Sequence, residues 1–488
     1  MKKLIVIAIL VLSGMGLTAQ AQVGSYEEYA KKRKSSYATY KDNREKGIAK
    51  YKEKANEEYA RRMTQRWEYY QLRQELTPPE SPEPVTPPKV SPDTPSAKPE
   101  GVKLSPAPIL KPKAPSKPTG EVELPEVDTA GDKKSVAVDY YGTKVRVAYS
   151  PSMIIKLSSS DEEGVAAAWN MLADGRSNLW VRELMNLRKK LNLCDWAYNK
   201  LVEKASVALM GKTNEAVLLQ NFTLVQSGLK VRLGRRNNTL CLLFPSEVPI
   251  YYYSYVTIDG LKYYVLAKKE SGGLYVFDSI FPGEQIPSMQ ITLPELPLRP
   301  TVENSYKAEG YPNLVVTAKA NINAMEFYNE CPMIGSWQSY ANANLSNHLK
   351  KQLYPTLQEA ISGVNDVDAA NLLINFVQTG FDYKTDNANF GHERTLYADE
   401  MFYYRYSDCE DRAILYSILV RDLLGLDVVL LNFENHIATA VRVPSDVKGD
   451  YVMVDGVKYV VCDPTYINAK VGMMMPGMGG KLENVIAL

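Results

Sequence analysis

Histidine and cysteine are scarce in this chain, three and five among 488 residues. The cysteines stand far apart, at Cys194, Cys241, Cys331, Cys409 and Cys462. Their odd number leaves at least one thiol free, and a chain of this length buries enough surface to hold together without disulfide staples. No CxxC pair and no His/Cys cluster has zinc-ligand spacing, so neither metal nor cofactor is expected. His348 and His392 read as ordinary surface or core histidines. Net charge is also missing: 57 Lys+Arg against 56 Asp+Glu leave +1, with no basic face to argue for nucleic acid as the main partner. Phenylalanine is scarce and tyrosine plentiful, 10 against 33, a bias without an evident mechanism.

What is present starts with an address label. Two lysines, the apolar run "LIVIAILVLSGMGL" and the small-residue stretch "TAQAQ" have the form of a secretory signal peptide over residues 1–21, with cleavage after Ala21. The run is shorter than the roughly 20 residues a comfortable span requires, and polar residues follow it. Export to the periplasm or cell surface of a Gram-negative-type bacterium is expected, with no transmembrane span after cleavage.

Residues 22–76 are charged, and their proline-free stretch is periodic. Tyr26, Tyr37, Ile48, Tyr59 and Tyr70 recur every eleven residues, which lines them along one stripe of a long helix. That helix would run roughly 75–80 Å at about 1.5 Å per residue, solvated or weakly coiled, and available for envelope attachment or self-association. Residues 77–118 are rich in proline, a composition that favours extended polyproline II and reads as a semi-rigid spacer.

The globular part begins near residue 119 and is internally duplicated. "VTIDGLKYYVLA" (256–267) and "VMVDGVKYVVCD" (452–463) are the same hairpin, a strand, an Asp-Gly turn and a strand. Before each lies a helix-then-strand pattern, at 214–233 and 409–431. Two α+β domains are expected, at 119–300 and 301–488.

The chemistry concentrates in the second. Ser407 and Glu410 form an S-x-x-E capping box that puts Cys409 in the first turn of a helix stopped by Gly425. The positive end of the helix favours a thiolate, and Glu410 and Asp411 oppose it. His436 opens the second strand that follows, and Asp463 closes a later hairpin, with Cys462 facing the core. A thiolate can attack an acyl carbon, an imidazole can take and return the proton, and a carboxylate can fix the imidazole tautomer.

"SDCEDRAILYSILVRDLLG", "NHIATAV" and "CDPTY", in that order, resemble the transglutaminase-like cysteine fold, in the branch found in exported proteins of Bacteroidetes-type bacteria. The upstream segments 371–386 and 390–404 are similar to it as well, and the resemblance covers about 320–488. It implies a papain/transglutaminase-like core, a cysteine helix packed on an antiparallel sheet. Cys409 would be the nucleophile, His436 the base and acid and Asp463 the orienting carboxylate. Gln378 would help the Cys409 N–H hold an oxyanion. Where many relatives have glycine before the "DC" pair, this chain has Ser407. The repeat offset puts Lys212 or Thr213, Thr239 or Leu240, and Ala267 at the corresponding places of the first domain, which makes that domain a degenerate copy.

The expectation is therefore an exported cysteine amidase, peptidase or acyltransferase acting through a thioester. Its substrate would be an envelope peptide or protein amide, a peptidoglycan stem peptide being the narrower variant. The alternative is a silent binding or scaffold module of the same fold. The Met/Gly-rich C-terminus reads as a mobile loop before a final strand, or a lid.

Overall fold

Both Asp-Gly pairs close two-residue hairpins. Asp259 and Gly260 have φ of 48° and 78°, Asp455 and Gly456 49° and 82°, the left-handed pair that matches the twist of the flanking strands. Around these hairpins the computed structural model builds a mixed α+β protein with antiparallel sheets. It describes residues 31, 33–34, 50–78, 86–91, 101–111, 132–266, 272–444 and 447–488. Contacts divide the chain into one unit of Met1–Lys54 with Glu123–Glu126 and another of Ala55–Val122 with Val127–Leu488. In the first, the described residues are helical. The signal-peptide reading lies outside the described residues, as do Tyr26, Tyr37 and Ile48. Among the described residues no helix is long and apolar enough to cross a membrane.

The second unit opens with helix α1 (residues 55–63), then strands β1 (Glu68–Gln71) and β2 (Ile109–Leu110). A hairpin, β3 (Lys134–Tyr140) and β4 (Thr143–Tyr149), leads to helices α2 (Glu162–Ala173), α3 (Asn178–Lys190), α4 (Asp195–Met210) and α5 (Asn214–Gln226). Strands β5 (Arg232–Arg236), β6 (Thr239–Ser246), β7 (Tyr255–Ile258), β8 (Leu261–Val265) and β9 (Gly273–Phe277) follow. The later half starts with β10 (Asn304–Lys307) and β11 (Val315–Ala318) and continues through α6 (Ile322–Asn329), α7 (Trp337–Ala341), α8 (Asn347–Ile361) and α9 (Asp366–Gly380). Next come β12 (Asp382–Tyr383), α10 (Asp386–Phe390), α11 (Ala398–Tyr404), β13 (Tyr406–Ser407) and α12 (Cys409–Leu424). Strands β14 (Val428–Phe433), β15 (His436–Val441), β16 (Tyr451–Val454), β17 (Val457–Cys462) and β18 (Leu482–Ala487) end the chain.

The two six-stranded sheets have one strand order. The first runs β7-β8-β6-β5-β9-β1 and the second β16-β17-β15-β14-β18-β2. Each is entered from a helix, α5 or α12, and each is completed at one edge by a strand from the N-terminal region. These edge strands differ in direction, β1 antiparallel to β9 and β2 parallel to β18.

Two expectations about the N-terminal region need correction. The long helix does not reach residue 76: it ends at Met63, and the chain turns into β1. Its stripe is not solvated here. Tyr59, Ala60 and Met63 are buried, Tyr59 against Trp169, Phe277 and Phe281, and the Trp67 indole N–H folds back onto the Met63 carbonyl at 3.1 Å. Burying those rings outweighs one more helical turn in water. Nor are the described parts of 77–118 a free spacer. The Val90 N–H donates to the Ile467 carbonyl and the Ile467 N–H to that of Pro88, the Leu104 N–H donates to the Tyr451 carbonyl, and the Val485 N–H reaches that of Pro108. Proline cannot donate to a ladder, but its carbonyl accepts, so such a chain suits a sheet edge. Leu104 is buried among Val452, Val454 and their neighbours.

Helix α12 is buried from Cys409 to Val420, as expected of a helix surrounded by sheet and helices. Gly425 (φ 66°) ends it, its N–H on the Arg421 carbonyl at 3.2 Å.

Candidate active site

Ser407 is not the cap of α12. It belongs to β13, and its hydroxyl accepts from Arg412 Nε at 3.1 Å. The cap is Asp408, whose N–H donates to Asp411 Oδ2 at 3.4 Å. The shift by one residue arises because β12 and β13 pair in parallel, Tyr383 opposite Ser407, which holds Ser407 extended. Cys409 is thereby the first residue of the helix, its sulfur against the start of β15, where the Ile437 backbone N–H points at it.

His436 and Asp463 meet as expected. His436 Nε2 and Asp463 Oδ2 are 3.0 Å apart, both side chains fully buried. Asp463 Oδ1 accepts the Thr465 and Tyr466 N–H groups at 3.0 and 3.2 Å, so the carboxylate cannot rotate away. Phe433 stacks on the imidazole. The other ring nitrogen, Nδ1, is buried and has no hydrogen-bond partner among the described residues. Cys462 lies in the core, its thiol pushed up to about 12 by burial.

The thiol itself is covered. Cys409 is 0% exposed and donates to Glu410 Oε2 at 3.3 Å rather than to the imidazole. Burial first, then Glu410 and Asp408, push it well above the ordinary thiol range, against the pull of the Ile437 N–H. A pocket of about 390 Å³ lies above, lined by Pro78, Tyr251, Trp337, Phe433, Glu410 and His436 among others. Glu410 reaches the pocket wall and the cysteine beneath it does not.

Gln378 has another job than the one expected. Its Nε2 is committed to the Asp463, Tyr466 and Ala469 carbonyls at 3.1, 2.8 and 3.1 Å, and its Oε1 accepts the Asn468 N–H at 3.1 Å. Neither amide proton is left for an oxyanion. The residue holds the loop that carries Asp463.

Sequence reasoning missed an acidic cluster. Carboxylate oxygens of Asp386, Asp408 and Glu410 all lie within 4.8 Å of one another, with Asp411 close by in the same turn. Burial, with Asp408 and Asp411 nearby, raises Asp386 to about 11; burial, with Glu393 adding and the Glu410 hydrogen bond opposing, raises Asp408 to about 6; and burial with the neighbouring carboxylates pushes Glu410 and Asp411 well above the carboxylate range. The acids of "SDCEDR" were legible as a charge run. Asp386 was not, because it joins them only through the β12–β13 pairing. Arg412 is buried in the same layer, but it donates to Ser407, to the Gln378 and Phe381 carbonyls at 3.2 and 2.9 Å, and faces the Tyr383 ring.

The first sheet repeats the geometry without the chemistry. Asn214 is the first residue of α5 and Thr239 the first of β6, the places of Cys409 and His436. The expected Lys212 or Thr213 is corrected to Asn214, two residues or one residue on, since Thr213 is the cap. Asn214 Oδ1 accepts the Leu240 N–H at 3.0 Å, as the Cys409 sulfur faces that of Ile437. Ala267 lies outside the described residues. His348 rests on the Lys319 carbonyl and His392 on that of Phe390.

No family model, curated protein or solved structure matches this chain.

Proposed function

We propose that the protein is an exported cysteine acyl-transfer enzyme, an amide hydrolase or transamidase of transglutaminase-like type, with its nucleophile held in a resting state. In this reading the two domains are copies of one papain/transglutaminase-like core, the first degenerate and the second carrying Cys409, His436 and Asp463. The observation that supports it best is the buried His436–Asp463 pair. Asp463 takes Nε2 and leaves Nδ1, under the pocket, as the nitrogen able to accept a proton from a thiol. The Cys409 sulfur lies at the same strand start.

The reaction would run in two steps. His436 Nδ1 takes the thiol proton, the sulfur attacks the amide carbon, and the proton goes to the departing amine as a thioester forms. Water or a second amine then releases the acyl group. The oxyanion is assigned to the Cys409 backbone N–H, with Gln378 excluded. An envelope peptide is the substrate class, a peptidoglycan stem peptide its narrower form.

The rival reading, a silent binding or scaffold module, draws support from the covered thiol and its bond to Glu410. Acylation by p-nitrophenyl acetate separates them. Mass spectrometry of wild type should find the acetyl group on Cys409, formed at least tenfold more slowly in His436→Ala and absent in Cys409→Ala. Equal acylation of wild type and His436→Ala would favour the module.

A further inference from the structure

Three consecutive tyrosines, Tyr251, Tyr252 and Tyr253, line one cavity of about 270 Å³, where an extended chain would send the middle one to the opposite side. Tyr252 breaks the alternation with φ 66°, a backbone that a bulky residue holds only when its surroundings impose it. Here they do. The Tyr251 N–H donates to the Met333 carbonyl at 2.9 Å and the Tyr252 N–H to that of Leu76 at 3.0 Å. The Tyr252 hydroxyl donates to the Glu393 carbonyl at 3.0 Å.

More phenols complete the wall. Tyr328, Tyr340 and Tyr397 also line the cavity and are 3%, 1% and 3% exposed. The Tyr340 hydroxyl accepts the Ile334 N–H at 3.2 Å, whereas the Tyr328 and Tyr397 hydroxyls are buried and have no partner among the described residues. A buried hydroxyl without a partner has lost its water without replacement. Two of them on one wall suit a ligand that brings oxygens.

Charge and ring geometry narrow the ligand. Arg394 is paired with Glu400, and Glu393 adds a carboxylate to the same wall, which disfavours an anion. A cation would need open ring faces, but Tyr328 stacks on Tyr397 with centroids 4.5 Å apart and Tyr397 packs on Tyr340 at 4.6 Å. The volume falls just under the range of about 300–1,000 Å³ for drug-sized ligands, room for one ring. We propose that the cavity binds a single neutral sugar ring through the Tyr328 and Tyr397 hydroxyls, and that the substrate is a sugar-linked peptide. The second half rests on the acyl-transfer reading: Tyr251, Met333, Glu393 and Thr395 line both this cavity and the pocket at His436, so a molecule filling both carries a sugar beside its amide.

The test follows N-acetylglucosamine by saturation-transfer NMR on the full chain, as wild type and as Tyr328→Phe/Tyr397→Phe, with propionamide and tetramethylammonium as amide and cation probes. Removing two unpartnered hydroxyls strands no other group, so the variant should keep the wild-type urea midpoint or exceed it. Saturable sugar binding to wild type is expected at millimolar concentration, at least fivefold weaker in the variant and with neither other probe saturating. No saturable sugar binding to wild type up to tens of millimolar overturns the site, whatever the fold of the variant. So does an unchanged affinity in the variant, a lowered midpoint, or saturable binding of propionamide or tetramethylammonium in place of the sugar. In Cys409→Ala the sugar-linked dipeptide N-acetylmuramyl-alanyl-isoglutamine should bind at least tenfold tighter than N-acetylglucosamine, since both parts are engaged. Sugar binding without that gain overturns the link to the amide cleft and leaves the sugar site standing. Neither readout depends on acylation of Cys409, so a failure of the acyl-transfer reading is seen separately.

Discussion

A buried amide with four bonds to one loop makes a sharp test of role. Gln378→Leu should destabilise the protein by about 2–4 kcal/mol, read by urea denaturation, because three carbonyls and one N–H of the Asp463 loop lose their partner. A variant with unchanged stability and impaired acylation would restore Gln378 to the oxyanion site. Asp399 makes the pH test. It is buried, its Oδ2 accepting the Ser346 N–H at 2.9 Å, and burial raises it to about 6. A carboxyl raised on folding contributes stability that is present below its unfolded pKa near 4 and lost as pH rises through 6. Wild type should therefore lose about 3 kcal/mol more between pH 4 and 7 than Asp399→Asn does, measured by urea melts across that range. Parallel curves would refute the raised carboxyl. At this scale the His436–Asp463 pair was legible, because strand alternation decides which way each side chain points. The bond from Cys409 to Glu410 was not: the two are adjacent in sequence, and only burial turns that adjacency into a hydrogen bond.

Among elements, the N-terminal strap is where composition misled most. Proline density argues against a packed core of the segment's own. It does not argue against laying an extended chain along an existing edge, which needs only alternate carbonyls and N–H groups. The strap's tightest point is Gly101, where an added Cβ would meet the Gly449 carbonyl carbon at 1.7 Å. Gly101→Ala should lift residues 101–111 from the sheet, seen as faster tryptic cleavage at Lys103 with the rest of the chain intact. Unchanged cleavage would mean that the strap does not depend on that approach. The Asp-Gly hairpins and the Gly425 stop were legible since each requires a backbone that few residues adopt. The eleven-residue repeat put Tyr59 on one stripe of a helix, but the expectation that the stripe is solvated and that the helix runs to residue 76 does not hold. Periodicity says which face is apolar, not what will cover it.

For the whole molecule, two sheets of one strand order stand in a single chain, one with Asn214 and Thr239 and one with Cys409 and His436 at corresponding places. The two matching Asp-Gly hairpins of those sheets were legible in the sequence. It could not show that Asp386 joins the acids around the thiol, nor the pocket that Tyr251 of the first half helps to line, since both depend on how distant segments pack. The central claim is that Cys409 is a nucleophile restrained by Glu410 and served by His436. The most direct measurement is the rate of Cys409 alkylation by iodoacetamide from pH 6 to 10, in wild type, Glu410→Ala and Glu410→Ala/His436→Ala. The account predicts slow labelling of wild type that rises only above the ordinary thiol pKa of about 8.5. Glu410→Ala should label at least tenfold faster with its midpoint moved to lower pH, and the double variant should lose that shift. A thiol as inert without Glu410 as with it, or one freed by Glu410→Ala regardless of His436, would contradict the claim.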